Sequence, residues 1–412
     1  MTSEEQTATE LIAACDLDGA REAIAAVALR TPTIPCQDLA EIAGASIVLK
    51  AECLQATGSF KLRGALSKVA ALGSRGDGGL VTASAGNHGR AVAHAARVRG
   101  VGCEVFMPRD AAVSKVAAVQ ELGATVQLDG SSVEEALELA AERGRVSGAA
   151  FVHPFDDLDV IAGQATIGLE LIEDVPDLAR VVVPVGGGGL ASGIGVALRR
   201  AGAGVQLVGV QASACAPYAE ALAGFPGADG APATGATIAD GIAIKQPGEL
   251  TLPLLGELLD SLVTVAEDEI AEAMVFLAER SKLIAEGAGA VAVAALLGGK
   301  LEPVEGSTVA ILSGGNVDSG LLAGLLLRHE TEEGRRVRIF TRVPDRPGGL
   351  AELLNLVARV RANVVSVAHV REAVRLHVRE TGVELTLETR GRGHTEDVLS
   401  ALRDAGYDVD AE

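Results

Sequence analysis

Positive charge is scarce in this sequence. Its 412 residues carry 35 Lys+Arg against 55 Asp+Glu, a formal net charge of −20 at pH 7. Such a chain repels phosphate backbones, which argues against nonspecific nucleic-acid binding. The acidity suits a salt-adapted protein and a simply very soluble one equally well. Lysine is the rarer cation, with Lys50, Lys61, Lys68, Lys115, Lys245, Lys282 and Lys300 making seven against 28 arginines. Where arginine supplies ordinary surface charge, a lysine in a motif-like setting points to a need for a primary amine.

Cysteine is also sparse. Cys15, Cys36, Cys53, Cys103 and Cys215 are scattered, odd in number and free of any C-x-x-C pair, which argues against a disulfide framework or a structural zinc site. Long apolar runs are missing as well. The longest, such as Ala288–Leu297, are Ala- and Gly-rich and shorter than the ~18–20 residues that span a bilayer. The opening MTSEEQTATE has neither the basic start nor the apolar core of a secretory signal. These absences lead us to expect a soluble, reduced, cytoplasmic protein without membrane or nucleic-acid partners. Apolar content of 48% and mean hydropathy of +0.31 exclude a disordered tail protein. The length suggests two or three domains at about 150 residues each.

From about residue 45 to 330, short β-branched runs alternate with Ala-rich helical segments. Strands are expected at Ser46–Glu52, Leu80–Ala83, Cys103–Met107, Thr125–Leu128, Val181–Val185, Val205–Val210 and Thr308–Leu312, with helices such as Leu62–Leu72, Gly89–Arg99, Ser114–Leu122, Val133–Arg143 and Ala191–Ala201 between them. Such alternation predicts an open α/β fold with parallel sheets covered by helices. The charged break Glu332–Arg336 reads as a linker. Beyond it, Val337–Val343, Leu350–Val360, Asn363–Val370, Val383–Glu388, Thr395–Ala405 and Tyr407–Val409 follow the order βαββαβ, a ferredoxin-like domain over 337–412. The Gly224–Gly235 stretch reads as a mobile loop.

Four loops carry chemistry. In Thr57–Ala65 (TGSFKLRGA), Lys61 stands at a helix start, where desolvation and the helix dipole lower an amine pKa. An amine so activated can form a Schiff base with a carbonyl. In Ser84-Ala85-Gly86-Asn87-His88-Gly89, a strand-to-helix turn offers backbone N–H groups to an anion such as a substrate carboxylate. His88 there reads as a helix-start residue rather than a general base. In Pro184–Leu190, four consecutive glycines, Gly186 to Gly189, let main-chain amides surround a phosphate. A P-loop is excluded because Leu190-Ala191-Ser192 follows where Gly-Lys-Ser/Thr is required. Gly186-x-Gly188-x-x-Ala191 fits a dinucleotide fingerprint, but the next strand ends in Val210-Gln211 with no acid for a ribose. Finally, Ser313-Gly314-Gly315-Asn316 places a neutral hydroxyl where a ring nitrogen could meet it. An amine, a phosphate cradle, a carboxylate nest and a neutral ring partner together match pyridoxal phosphate.

With TIADGI at 237–242 and EGAGA at 286–290, these stretches resemble, in order, those of the threonine ammonia-lyase (threonine dehydratase) family of fold type II pyridoxal-phosphate enzymes. The resemblance covers residues 20 to 330. It implies a two-lobed, tryptophan synthase β-like catalytic domain over 1–331, with a small lobe at approximately 53–158 inserted in the large one. By the same resemblance Lys61 holds the cofactor and moves the α-proton, Phe60 packs beside it, and Gly186, Gly187, Gly188 and Gly189 hold its phosphate. Asn87 would bond the ring hydroxyl and Ser313 the ring nitrogen. Ser84 and the amides of Ala85, Gly86, Asn87 and His88 would take the substrate carboxylate, with Glu286 near the reacting amine or else a solvated helix carboxylate. The implied reaction is β-elimination and deamination of L-threonine, and of L-serine, to an oxo acid and ammonia. A neutral Ser313 leaves the ring a weaker electron sink than one paired with Asp, which favours loss of the β-hydroxyl.

The nearest alternative is serine racemase, which resembles Ser-Ser-Gly-Asn-His in the second loop, where this chain has Ala85. Racemases also carry carboxylates after the strand ending here at Gln211, and Ser213, Cys215 and Pro217 supply none, so no metal is expected. A second alternative is a catalytically inactive amino-acid sensor. Val343–Leu350 resembles the first strand-helix loop of ACT domains, which implies a regulatory tail. A branched-chain amino-acid effector would sit at Asp345, Gly348, Gly349 and Leu350, and the assembly would be a homodimer or homotetramer.

Overall fold

The computed structural model describes residues 7–222, 224, 236–371 and 379–411. Apart from Gly224, the expected loop at Gly224–Gly235 lies outside them. Two compact units divide the chain, Met1–Val317 and Asp318–Glu412.

The first unit holds two sheets. Strands β1 (Thr33–Pro35), β2 (Ser46–Lys50), β7 (Leu178–Pro184), β8 (Gln206–Ala212), β9 (Ser261–Val265) and β10 (Ser307–Ile311) form one, in the order β1-β2-β10-β7-β8-β9. It is parallel except where β1 runs antiparallel to β2. Between β2 and β7 the chain builds the second sheet, parallel and ordered β5-β4-β3-β6, from β3 (Leu80–Ala83), β4 (Cys103–Met107), β5 (Thr125–Leu128) and β6 (Ala150–Phe151). Val181, Val182 and Val183 of β7 are buried, as are Val309, Ala310 and Ile311 of β10, because helices cover both faces and each side chain of the run finds apolar neighbours. The helix Gly287–Leu297 is buried along nearly its whole length, which explains why it lacks an amphipathic stripe.

Three strands escaped the sequence reading. β1 is three residues long and contains Pro35, which suits only an edge. β6 has two residues, and β9 follows the apolar helix Thr251–Leu258 so closely that the periodicities merge.

The helix Lys61–Ala71, which opens with the candidate nucleophile, packs against Leu158–Asp174 and Asn87–Arg99. Its approach to Leu158–Asp174 is very close. A Cβ on Gly163 would lie 2.5 Å from the Arg63 carbonyl oxygen, so glycine there is a packing requirement. No helix among the described residues is long and apolar enough to cross a membrane.

The second unit contains β11 (Arg336–Pro344), helix Gly349–Arg359, β12 (Asn363–Val370), β13 (Glu380–Glu388), helix Arg392–Asp404 and β14 (Val409–Ala411). Its antiparallel sheet runs β12-β13-β11-β14, the ferredoxin-like arrangement expected. Val337, Ile339, Leu353, Val357, Leu385, Val398 and Leu402 form its own core. The expected linker at 332–336 needs correction. Helix Ser319–Glu332 groups with the tail, and the chain passes almost directly into β11. Thr389 and Thr395 both donate hydroxyls to Gly334 O, and Thr389 N–H donates to Arg335 O, so the charged stretch is wired into this unit.

Candidate active site

Parallel strands aim their carboxyl ends at one crevice, and here β3, β7 and β10 each run into one of the glycine-bearing loops. The first and fourth loops are joined directly. Phe60 N–H donates to Ser313 O at 3.1 Å, and Ser59 forms a β-bridge with Gly314. Lys61 Nζ donates to Pro154 O at 2.8 Å and stands 5.2 Å from the Phe60 ring centroid. Burial brings its pKa down to about 8, partly opposed by the Glu286 carboxylate. Phe60 packs on the large core and flanks the amine.

The second loop has two kinds of polar group. Ser84 Oγ accepts from Gly86 N–H at 3.0 Å, so that amide is engaged within the loop. Helix Asn87–Arg99 begins immediately after, leaving its first-turn N–H groups without helical acceptors. His88 is buried with Nε2 3.1 Å from Val152 O. Burial foremost, then the neighbouring Lys61, lower its pKa to about 3, so it is neutral and no base near neutral pH. His88 is the second residue of helix Asn87–Arg99.

Glu286 is only 7% exposed, which rejects the solvated alternative. Burial and then Asp240 push its carboxyl up to about 7, against the pull of the Asn87 hydrogen bond. Asn87 Nδ2 donates to Glu286 Oε1 at 2.6 Å, while Asn87 Oδ1 accepts from Asn316 at 2.7 Å. Both ends of the Asn87 amide are therefore engaged within the protein. Ser313, 3% exposed, donates to Ala288 O at 3.2 Å; its oxygen lone pairs remain able to accept.

The glycine loop is held by residues that no motif announced. Gly187 O accepts from Tyr218 Oη and Thr251 Oγ1, both at 2.9 Å. Asp156 accepts the amides of Glu249, Leu250 and Thr251. Phe155 closes on the loop, and a Cβ at Gly187 would meet its ring at 2.2 Å. These contacts join loops far apart in sequence, with only ordinary Tyr, Thr and Asp as their trace. Gly189 starts a helix, whose N-terminus suits a phosphate. Replacing Gly187 with alanine is expected to weaken pyridoxal-phosphate binding about tenfold, since overpacking costs roughly 1–3 kcal/mol. Fluorescence titration of the apoenzyme checks this.

Seven buried side-chain polar atoms among the described residues lack partners, and Thr57 Oγ1, Ser59 Oγ, His88 Nδ1, Arg90 Nε and Ser192 Oγ belong to these loops or the helices they open. Native proteins rarely leave such groups unsatisfied, so their concentration here fits a site made for a polar ligand. Behind Lys61 lies a buried charge cluster that sequence reasoning missed, with Arg63 between Glu52 and Glu170 and Lys50 also on Glu170. No group of three or more His, Cys, Asp or Glu among the described residues is placed to hold a metal ion.

A desolvated amine, a side-chain-free anion cradle and a buried hydroxyl at parallel strand ends define an enzyme that binds an aldehyde cofactor by its phosphate. The chain belongs to the pyridoxal-phosphate-dependent enzyme family, whose model matches residues 24–314. It is 45% identical over 404 residues to the L-threonine ammonia-lyase of Thermotoga maritima, covering 96% of this chain and 98% of that one. The L-threonine ammonia-lyase of Geobacter sulfurreducens is 42% identical over 92% of this chain and 94% of its own length. Among solved structures, a T.th. threonine deaminase superposes with a TM-score of 0.67 at 38% identity, over 73% of this chain and 97% of that one. Maize serine racemase gives 0.70 at 32% identity, over 78% and 99%.

Proposed function

We propose that this protein deaminates L-threonine, and L-serine as a second substrate, by β-elimination, releasing 2-oxobutanoate or pyruvate and ammonia. The observation that carries this reading is the buried Lys61 amine at the start of its helix, 2.8 Å from Pro154 O and beside the Phe60 ring, where burial brings its pKa down to about 8. Pyridoxal phosphate, when bound, supplies the electron sink for the carbanion formed at the α-carbon. Gly186 to Gly189 and the helix they open would hold its phosphate, and the Ser313 hydroxyl, turned from Ala288 O, would donate to its ring nitrogen. Ser84 and the free amides at the start of Asn87–Arg99 hold the substrate carboxylate. Glu286, partly ionised near pH 7, takes a proton from the incoming ammonium. Lys61 Nζ takes the α-proton. Ala85 has no hydroxyl to return a proton from the opposite face, so elimination is favoured over racemisation.

The tail is the regulatory part of this reading. A depression of about 580 Å³ is lined by Asp345, Arg346, Gly348, Leu350, His369 and Arg371 among others. Gly348, at φ +93°, turns the chain into helix Gly349–Arg359, whose first amides suit an effector carboxylate. Asp345, paired with Arg371 at 3.2 Å, suits its ammonium, and Leu350 and Leu354 suit a branched side chain. The protein then acts in the cytoplasm as a homodimer or homotetramer in isoleucine biosynthesis or threonine catabolism. A keto-acid assay with threonine, with and without isoleucine or valine, tests both parts. The full chain is expected to release 2-oxobutanoate and respond to the effector, and a chain ended at Val317 to turn over without responding. No oxo acid from the full chain sinks the lyase reading; an unchanged response in the shortened chain sinks the regulatory one.

A further inference from the structure

Three hydrogen bonds run in one direction from a cation to Glu286. Arg90 Nη1 donates to Asn316 Oδ1 at 2.6 Å, Asn316 Nδ2 donates to Asn87 Oδ1 at 2.7 Å, and Asn87 Nδ2 donates to Glu286 Oε1 at 2.6 Å. A guanidinium has donors only, so it decides which end of the Asn316 amide faces it. Thr57 O accepts a second N–H from Asn316 at 2.9 Å and enforces the same orientation. With its oxygen occupied, Asn87 can offer Glu286 only an N–H.

Helix packing does not explain an arginine at this place. Arg90 lies in the first helical turns of Asn87–Arg99, where the helix dipole disfavours a cation. Among the described residues its side chain bonds Asn316, and its Nε is buried without a partner. The other charges around Glu286 do not replace it. Asp240 opposes ionisation and Lys115, itself paired with Asp240 at 2.6 Å, favours it, while Glu286 in turn raises the pKa of Lys61 and of the buried Cys53. Arg90 is distinguished from these by the hydrogen-bonded chain that joins it to the carboxylate.

We propose that Arg90 is a positioning residue for Glu286: through Asn316 and Asn87 it fixes the carboxylate's orientation and keeps it ionised as the substrate amine arrives. The catalytic meaning of the relay rests on the lyase reading, whereas the relay itself does not depend on substrate. Arg90 pulls the Glu286 pKa down, so removing the cation moves that pKa up, and the anion is lost at a higher pH than in the wild type.

The test uses holoenzyme of the wild type, Arg90→Met, Arg90→Gln, Arg90→Lys and Glu286→Gln. Infrared difference spectra against pH report protonated carboxyls, and the band missing in Glu286→Gln is that of Glu286. Arg90→Met is expected to raise the midpoint of that band by about half a pH unit or more. The acidic limb of kcat/KM should move the same way, a loss of about threefold below the midpoint. Arg90→Lys should restore both, and Arg90→Gln, neutral but still a donor, should shift in the direction of Met. An unmoved midpoint in the two neutral variants, or no titrating Glu286 band in the wild type, overturns the proposal. If the wild type makes no oxo acid from threonine, the lyase reading fails while the infrared midpoint still decides the relay.

Discussion

Lys61→Ala is expected to abolish the visible absorption band of the bound cofactor and to lower turnover by roughly 10³–10⁴-fold or more, because one residue is both tether and base. Absorbance spectroscopy and the oxo-acid assay measure the two effects on the same sample. A surviving band that resists dialysis would show that another amine is the tether. The pKa of about 8 adds a finer expectation. In the apoenzyme at about pH 7.5, roughly a quarter of Lys61 should be unprotonated, against about one in a thousand for an ordinary lysine. Labelling with a small amine-reactive reagent, followed by peptide mass mapping, should therefore show Lys61 reacting ahead of the other lysines. Glu286 raises the Lys61 pKa, so Glu286→Gln should move the labelling midpoint down. A midpoint above 10 would mean that burial does not desolvate the amine.

How much of this was legible in the sequence depends on the range of the contacts involved. Strands β3, β4 and β5 lie at their expected bounds, since each is a short β-branched or apolar run between helices. The glycine loop and Lys61 were visible because phosphate cradles and tethered amines demand particular residue types over a few adjacent positions. Glu286 could not be assigned from its neighbours, because its burial comes from Gly241, Gly314 and Asn87, which approach from other segments. Tyr218, Thr251 and Asp156 brace the cradle from positions with no local signature. The boundary of the tail was misplaced for a related reason. Leu321 and Leu327 leave helix Ser319–Glu332 looking like a continuation of the preceding α/β pattern, although both are exposed and the helix buries no residue.

Arg63 is two residues beyond Lys61 in the same motif, and its replacement by methionine is expected to cost the fold about 3–5 kcal/mol. The side chain is 0% exposed, and so is that of Glu52. Arg63 donates Nε to Glu52 Oε2 at 3.0 Å and Nη2 to Glu52 Oε1 at 2.8 Å, a two-pronged contact. It also donates to Glu170, to Thr166 Oγ1 and to Leu29 O. Burial works against the guanidinium charge, but Glu52 and Glu170 outweigh it and hold the pKa above its ordinary value. Lys50, itself buried, donates to Glu170 at 2.6 Å and Thr31 O at 2.8 Å and lies 3.8 Å from Asp174, so two cations face three carboxylates. Removing Arg63 strands Glu52 with, among the described residues, only the Thr31 hydroxyl as a remaining side-chain donor. An uncompensated buried carboxylate is the main source of the loss, more than the vanished attraction. Neutralising the stranded partner should therefore recover part of it, with Glu52→Gln/Arg63→Met less destabilised than the two single changes added together. Urea unfolding of the four proteins measures this. Arg63→Met unfolding at the wild-type midpoint, or strict additivity in the double variant, would show that the cluster contributes little. Because Arg63 shares its helix with Lys61 and bonds the helix Leu158–Asp174 through Glu170, loosening the cluster should also displace the amine. Cofactor retention should then fall in Arg63→Met well below the urea concentration that unfolds it.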